Sequence, residues 1–353
     1  MADTFLSRNM TTQGSSIKGT FSGWIKNSQG GNYDCGFLSH YSSGSYFFDI
    51  VQQDGSIEVS DYFGGSGYVL RKRTTAKFRD PSGWFHLYVA IDRSLGTAED
   101  RNKIYINGNR VTDFNSSENF NYSQQTSGGH SGTISMNNNY TARIGIRYSG
   151  HTLNGSMSHV YWIDGSVIDI AQFGSTDSTT GEWKINTSPT ISSYGTNGFL
   201  ILKDGNTITD QSGGSYNFSS SGTGVTKTED CPSNVFCTMN PVVAQSGFSF
   251  SQGNNTITWS TNNKSTSGTL GMVTGKYYWE MKFSNATGGA NAMIGVGSNN
   301  FNHDVYVGTT AGGWAYYAQG GTTYNSNSAS SYGSGWTAGD IIGVAFDANS
   351  RTI

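Results

Sequence analysis

The sequence predicts an almost purely β chain of about two domains, and three observations lead there. Short alternating or aromatic-rich runs recur between Gly, Asn, Asp and Ser clusters, the pattern of half-buried strands joined by tight turns. An apolar period of 3.6 residues is nearly absent. The 353 residues include 20 Tyr, 19 Phe and 8 Trp but only 13% charged residues, so burial falls to large rings that strands accommodate well. The same rings argue against disorder, which goes with few aromatics and high net charge; here the formal net charge is −3. The length suits about two domains on a prior of roughly 100–200 residues each.

The elements follow in order. Strands are expected at 20–26, 46–52, 56–60, 84–92, 103–106, 142–147 and 157–163. Asn107-Gly108 between apolar runs reads as a type I′ hairpin turn, because both central residues need positive φ. Asp54-Gly55 reads the same way, and Asp164-Gly165 closes the strand before it. One short helical turn is expected over 166–173, with Asp169 near its start and Ile168, Ile170 and Ala171 packing. The texture changes over 206–240, where Gly, Ser and Thr mark a linker. Its last part, from Cys231-Pro232 to Pro241, is expected to be anchored by burial of Val235, Phe236 and Met239. Further strands are expected at 248–250, 256–260, 277–283, 293–297, 313–317 and 341–346. Asp347-Ala348-Asn349-Ser350 reads as a turn and 351–353 as the start of another strand, so the chain is expected to be the N-terminal part of a longer polypeptide.

Composition limits the partners. The pI of about 6.0 and the lack of a basic arm argue against nucleic acid. The densest basic run, Arg71, Lys72 and Arg73 with Lys77 and Arg79, reads as a strand edge protected by charge. No stretch is apolar enough to enter a membrane, and residues 1–10 lack the apolar core of a signal peptide. Cys35, Cys231 and Cys237 make no disulfide framework; Cys231 and Cys237 are close enough to pair, or are free thiols.

Several motifs carry a resemblance. Phe21-Ser22-Gly23-Trp24-Ile25-Lys26, then Gly83-Trp84-Phe85-His86-Leu87-Tyr88-Val89-Ala90-Ile91-Asp92, then Lys103-Ile104-Tyr105-Ile106-Asn107-Gly108, resemble the core strands of laminin-G-like, concanavalin A-like jelly rolls. Ile144-Gly145 and Leu153-Asn154-Gly155-Ser156-Met157-Ser158-His159-Val160 continue that pattern, which covers 1–205. Residues 241–353 resemble a SPRY domain through Gly275-Lys276-Tyr277-Tyr278-Trp279-Glu280-Met281, Ile294-Gly295-Val296-Gly297 and Gly339-Asp340-Ile341-Ile342-Gly343-Val344-Ala345-Phe346-Asp347. The two resemblances together imply an all-β fold of two tandem antiparallel β-sandwiches; SPRY domains run on beyond this point, so the second is expected to be incomplete. Arg79-Asp80-Pro81-Ser82-Gly83-Trp84, Tyr194-Gly195-Thr196-Asn197-Gly198-Phe199 and the run from Cys231 to Pro241 resemble tailed-phage structural proteins that join the same two domains. That resemblance implies a virion-surface location, release by lysis, other virion proteins as partners, and a homo-oligomer, taken as a trimer.

Glycoside hydrolysis needs two carboxylates flanking the bond, and among Glu58, Glu99, Glu118, Glu182, Glu229 and Glu280 no two share a short strand. A pair assembled from distant residues stays open. No Gly-x-Ser-x-Gly stands between a strand and a helix. Gly128-Gly129-His130-Ser131-Gly132 lacks the Lys of a phosphate loop. His40, His86, His130, His151, His159 and His303 form no zinc spacing. Calcium is the one cofactor considered, because lectin-like folds hold it with loop oxygens; Asp61, Asp92, Asp113, Asp164 and Asp177 are scattered candidates with no selecting spacing.

Carbohydrate binding would use exposed rings as stacking platforms beside amide and hydroxyl groups. The candidate ligand-binding residues are Tyr62, Phe63 and Tyr68; Trp314, Tyr316 and Tyr317; and Tyr324 with Tyr332. The competing reading of each is strand-core packing. With the phage-protein resemblance, the expectation is a non-enzymatic tail fibre or adhesin that contacts a host-surface glycan or protein. A purely structural decoration or fibre-anchoring protein is the alternative, and a glycan depolymerase comes third.

Overall fold

The computed structural model describes residues 4–29, 33–43, 46–124, 134–147, 150–203, 208–222, 224–284 and 291–353. The chain is all-β, with short 3₁₀ turns and no α-helix among the described residues. It divides into two compact units, Met1–Phe236 and Cys237–Ile353.

The first unit holds β1 (Phe5–Asn9), β2 (Lys18–Asn27), β3 (Cys35–Ser43), β4 (Tyr46–Gln53), β5 (Ser56–Phe63), β6 (Gly67–Thr74), β7 (Phe85–Asp92), β8 (Asn102–Ile106), β9 (Asn109–Arg110), β10 (Phe114–Phe120), β11 (Thr141–Ile144), β12 (Gly155–Asp164), β13 (Gly174–Thr176), β14 (Trp183–Ile185), β15 (Phe199–Ile201) and β16 (Ser219–Ser221). Two antiparallel sheets face each other, in the orders β10-β6-β5-β4-β3-β11-β1-β16 and β15-β12-β2-β7-β8-β9. Alternation decides which residues meet between them. Phe21 and Ile25 of β2, Leu87, Val89 and Ile91 of β7, and Trp162 of β12 meet Phe48 and Ile50 of β4 and Ile57 and Val59 of β5, all buried. Phe48 and Trp162 lie 5.7 Å apart between ring centroids. The indole of Trp162 donates to Asn137 Oδ1 at 2.8 Å, which satisfies its one polar group. The expected I′ turns form: φ is +49° at Asp54, +76° at Gly55, +47° at Asn107 and +77° at Gly108.

A third layer covers the outer face of the six-stranded sheet. Phe173, with Ile168, Ile170, Ile191 and Tyr194, packs on Tyr88, Ala90, Tyr161 and Ile163. The expected helical turn is a 3₁₀ turn, Ile170–Gln172, capped by Asp169, which accepts from the Ala171 amide. Ala171 itself faces solvent.

Several expectations change. The basic strand β6 is paired on both sides, by β5 and β10. Lys72 is buried against Glu99 at 2.9 Å, Arg71 binds Glu58 and Glu118, and Arg73 binds Glu118. The hidden partner is β10, Phe-Asn-Ser-Ser-Glu-Asn-Phe, whose polar run has no apolar alternation to reveal it. The stretch 206–240 is not a free linker. Phe218 is buried in the core and β16 pairs with β1. Val235 and Phe236 are 44% and 45% exposed, so apolar burial is not what anchors the segment; a carboxylate is, as described below. Cys35, Cys231 and Cys237 are all free thiols.

The second unit holds β17 (Phe248–Ser251), β18 (Thr256–Trp259), β19 (Lys276–Lys282), β20 (Met293–Gly297), β21 (Gly313–Tyr317), β22 (Thr322–Asn325), β23 (Ser328–Ser331) and β24 (Ile341–Asp347). β19 pairs with β24, and β20 to β23 form a meander. Ile342, Val344 and Met281 meet Ile294 and Tyr316 between these sheets, with Phe283 and Trp336.

Candidate functional site

Outward residues of the six-stranded sheet build a cleft. Because Phe21 and Ile25 of β2 point inward, Ser22, Trp24 and Lys26 point the other way. Trp24 stands opposite His86 of β7 in the antiparallel register, and their rings stack at 5.3 Å and 28°. Trp183 of β14 stacks on the other side of His86, at 5.9 Å and 13°. The indole of Trp183 reaches this place over a glycine. A Cβ on Gly108 would lie 2.4 Å from its ring, so the turn residue demanded by φ is also demanded by the tryptophan.

His86 fixes the stack through its hydrogen bonds. The indole N–H of Trp183 can only donate, and it donates to His86 Nδ1 at 3.1 Å. Nδ1 therefore carries no proton, and Nε2–H donates to Ser22 Oγ at 2.8 Å. Burial pushes the imidazole down to about 3. The Ser22–His86 contact has the look of a nucleophile and base, but the polarity is wrong: Nε2 already holds the proton it would have to accept. The pair is structural.

Asp230, outside the lining itself, braces residues of the cleft. Its carboxylate meets Lys26 Nζ at 2.8 Å, with side chains 5% and 1% exposed. It also accepts from the Trp84 indole at 3.2 Å and from the Phe236 amide at 2.9 Å. One carboxylate thus ties the segment carrying Pro232 and Val235 to β2 and to the start of β7.

The resulting cleft is about 390 Å³ and is lined by Trp24, Trp84 and Trp183, by Asn107, Asn109 and Glu182, and by Pro232 and Val235. That is within the roughly 300–1,000 Å³ of small-ligand sites. The indole N–H groups of Trp84 and Trp183 are turned away to Asp230 and His86, which leaves the cleft their apolar surfaces. Asn107 uses its Oδ1 on the His86 amide at 2.7 Å, so its Nδ2 remains as a donor. Asn109 spends its Nδ2 on the Asn107 carbonyl, so its Oδ1 remains as an acceptor.

The rings expected to bind ligand lie elsewhere and do not form one site. Tyr62 and Tyr68 face each other in register on β5 and β6, edge to face at 5.1 Å. Phe47 stacks flat on Tyr62 at 5.2 Å and 4°, and Arg71 lies 4.6 Å over Tyr68. Phe63 points to the opposite side of the sheet, against Tyr46 at 4.8 Å. In the second unit Tyr316 packs into the core beside Trp336, with Tyr332 edge-on at 5.3 Å. Tyr317 and Tyr324 pair on the other face at 5.7 Å. Trp314 is 46% exposed. The competing reading, strand packing, thus holds for Tyr316. The tryptophan cleft was not anticipated. Its only local signal is a glycine one or two residues before each tryptophan, in Gly23-Trp24, Gly83-Trp84 and Gly181-Glu182-Trp183.

The carboxylates sort in the same way. Glu58 and Asp49 lie on one face of adjacent strands, both fully buried. Burial pushes the Asp49 carboxyl up to about 7, against the pull of Arg147, whose guanidinium lies 3.4 Å away. Ion-paired and without exposure, these two acids cannot reach a substrate. Each calcium candidate is held by protein donors: Asp61 by Tyr122 and Ser135, Asp92 by Lys18 and Ser94, Asp113 by Thr75, Asp164 by the Ser15 and Asn197 amides, and Asp177 by Lys184. Among the described residues no three His, Cys, Asp or Glu cluster as metal ligands. The run Gly128-Gly129-His130-Ser131-Gly132 lies outside the described residues.

Comparison with known proteins gives a partial match. A family model described as SPRY domain matches residues 276–353. A search of curated proteins returns no match. Among solved structures, the chain is similar to a putative carbohydrate binding protein from Bacteroides ovatus ATCC 8483, with 15% identity and a TM-score of 0.40. That alignment covers 67% of this chain and 61% of the other, so the chain spans less than two thirds of that protein. Tailspike protein 2 of Escherichia coli O157:H7 bacteriophage CAB120 aligns at 13% identity and a TM-score of 0.29, over 45% of this chain and 21% of its own. The LG1-3 region of the laminin alpha2 chain aligns at 11% identity and 0.27, over 47% and 33%.

Proposed function

We propose that this chain is a non-enzymatic glycan-binding adhesion protein and that the tryptophan cleft of its first unit is the binding site. The observation that carries the reading is a cleft of about 390 Å³ lined by the part-exposed Trp84 and Trp183, with the buried Trp24 beside them and the amides of Asn107 and Asn109. Pyranose rings have apolar C–H faces and polar edges. They suit a site whose walls are aromatic and whose few polar groups set orientation. Hydrolysis is disfavoured because two carboxylates must flank the bond and Glu182 is the only one lining the cleft.

The finer reading is a virion-surface protein of a tailed phage, a tail fibre or adhesin attaching to a host glycan or protein. It rests on the ordered motifs at Arg79–Trp84, Tyr194–Phe199 and Cys231–Pro241. A trimer with other virion proteins as neighbours follows from the same resemblance. The test is a glycan array probed with the full chain and with Trp183→Ala. Binding by the wild type that the variant loses supports the reading. No binding by the wild type, or equal binding by both, overturns it and favours a purely structural role.

A further inference from the structure

We propose that the cleft selects uncharged pyranosides over acidic sugars, and that Glu182 sets this choice. The proposal rests on the reading of the cleft as a glycan site and adds the ligand class. Of the residues lining the cleft, Glu182 alone carries a charge. Its side chain is exposed, and its carboxylate takes no hydrogen bond or ion pair among the described residues. No Arg or Lys lines the cleft: Lys26 is buried on Asp230 at 2.8 Å, and Lys184, close enough for Glu182 to act on its charge, is turned to Asp177 at 3.0 Å. A uronate, sialate, sulfate or phosphate would find no Arg or Lys in the lining to pair with, where sites for such groups supply one. It would meet a carboxylate instead.

What remains suits hydroxyl groups, which both donate and accept. Asn107 Nδ2 can donate to a sugar oxygen, while Asn109 Oδ1 and the Glu182 carboxylate can accept from sugar hydroxyls. A wholly apolar ligand would leave these three groups facing carbon and would bind weakly. Two like charges about 5 Å apart, with screening between that of water and a protein surface, cost about tenfold or more in affinity. The penalty should shrink as salt rises.

The experiment uses the full chain on an array of cellotriose, chitotriose and mannotriose, each beside its C6-oxidised uronate counterpart. The expected result is at least one neutral member bound about tenfold or more tighter than its uronate. Glu182→Gln should raise binding of that uronate about tenfold, and added salt should narrow the wild-type gap. Equal binding of neutral and uronate forms, with both lost in Trp183→Ala, overturns the charge selection while the glycan reading stands. A neutral preference that survives Glu182→Gln overturns the role of Glu182. No binding to any member overturns the selection and the glycan reading together.

Discussion

Replacing Asp230 with alanine removes the carboxylate that holds Lys26, Trp84 and the Phe236 amide together. Lys26 is 1% exposed at its side chain and has its ammonium 2.8 Å from Asp230. With the carboxylate gone, a buried ammonium loses its counter-charge, which typically costs about 3–5 kcal/mol. The indole and amide donors add to this only as far as water fails to reach them. In a domain of about this size each kcal/mol moves Tm by about 2–4 °C. The first unit of the full chain should therefore melt about 6–20 °C lower in scanning calorimetry. The paired change Lys26→Met with Asp230→Leu removes both charges and fills the place with apolar side chains. It should recover most of the loss, because a well-packed apolar pair often replaces a buried ion pair at little cost. A fall below about 3 °C for Asp230→Ala, which is about 1 kcal/mol on this scale, would show that water screens the pair and that the 230–236 segment is held some other way.

Two further outcomes follow from the same structure. Burial raises the Asp49 carboxyl to about 7 from 3.8, so the folded state holds that proton more tightly than the unfolded chain; the stability this gives is fully present below about pH 4 and is lost as pH rises through about 7. Tm measured from pH 5 to pH 8 should fall in the wild type and stay flatter in Asp49→Asn; equal slopes would place the effect on other groups. Gly108→Ala puts a Cβ where φ is +77° and where the Trp183 ring lies 2.4 Å away; it should cost about 1 kcal/mol or more in urea unfolding and weaken glycan binding, and a neutral result would mean that Trp183 does not rest on the turn.

Much of the fold was legible because local signals agreed. The 84–92 run alternates cleanly, and Asn107-Gly108 and Asp54-Gly55 demand one turn type. Strands without an apolar stripe escaped: β10 is polar, and the charges of β6 suggest an edge although it lies inside the sheet. The segment 206–240 looked like a linker because Gly, Ser and Thr hide its two anchors, the ring of Phe218 and the carboxylate of Asp230. The site escaped for a different reason. Rings clustered in one loop, as in Tyr62, Phe63 and Tyr68, suggest a platform, but alternation sends neighbours such as Phe63 to opposite faces. The cleft instead takes Trp24 from β2, Trp84 from the start of β7, Trp183 from β14, amides from a hairpin turn, and Asp230 from a segment near the end of the unit. Register sets Trp24 opposite His86, and hydrogen bonds between residues distant in sequence bring in Trp183 and Asp230.

The central claim is that a glycan binds at the tryptophan cleft of the first unit. The most direct measurement is the set of indole N–H resonances of the full chain, titrated with a glycan that the array identifies. The eight tryptophans are spread over both units, so their signals report location. The account predicts shifts at Trp24, Trp84 and Trp183, with Trp162 in the core and Trp259, Trp279, Trp314 and Trp336 of the second unit unmoved. Shifts confined to Trp314 and its neighbours in the second unit, with Trp84 and Trp183 unchanged, would contradict it.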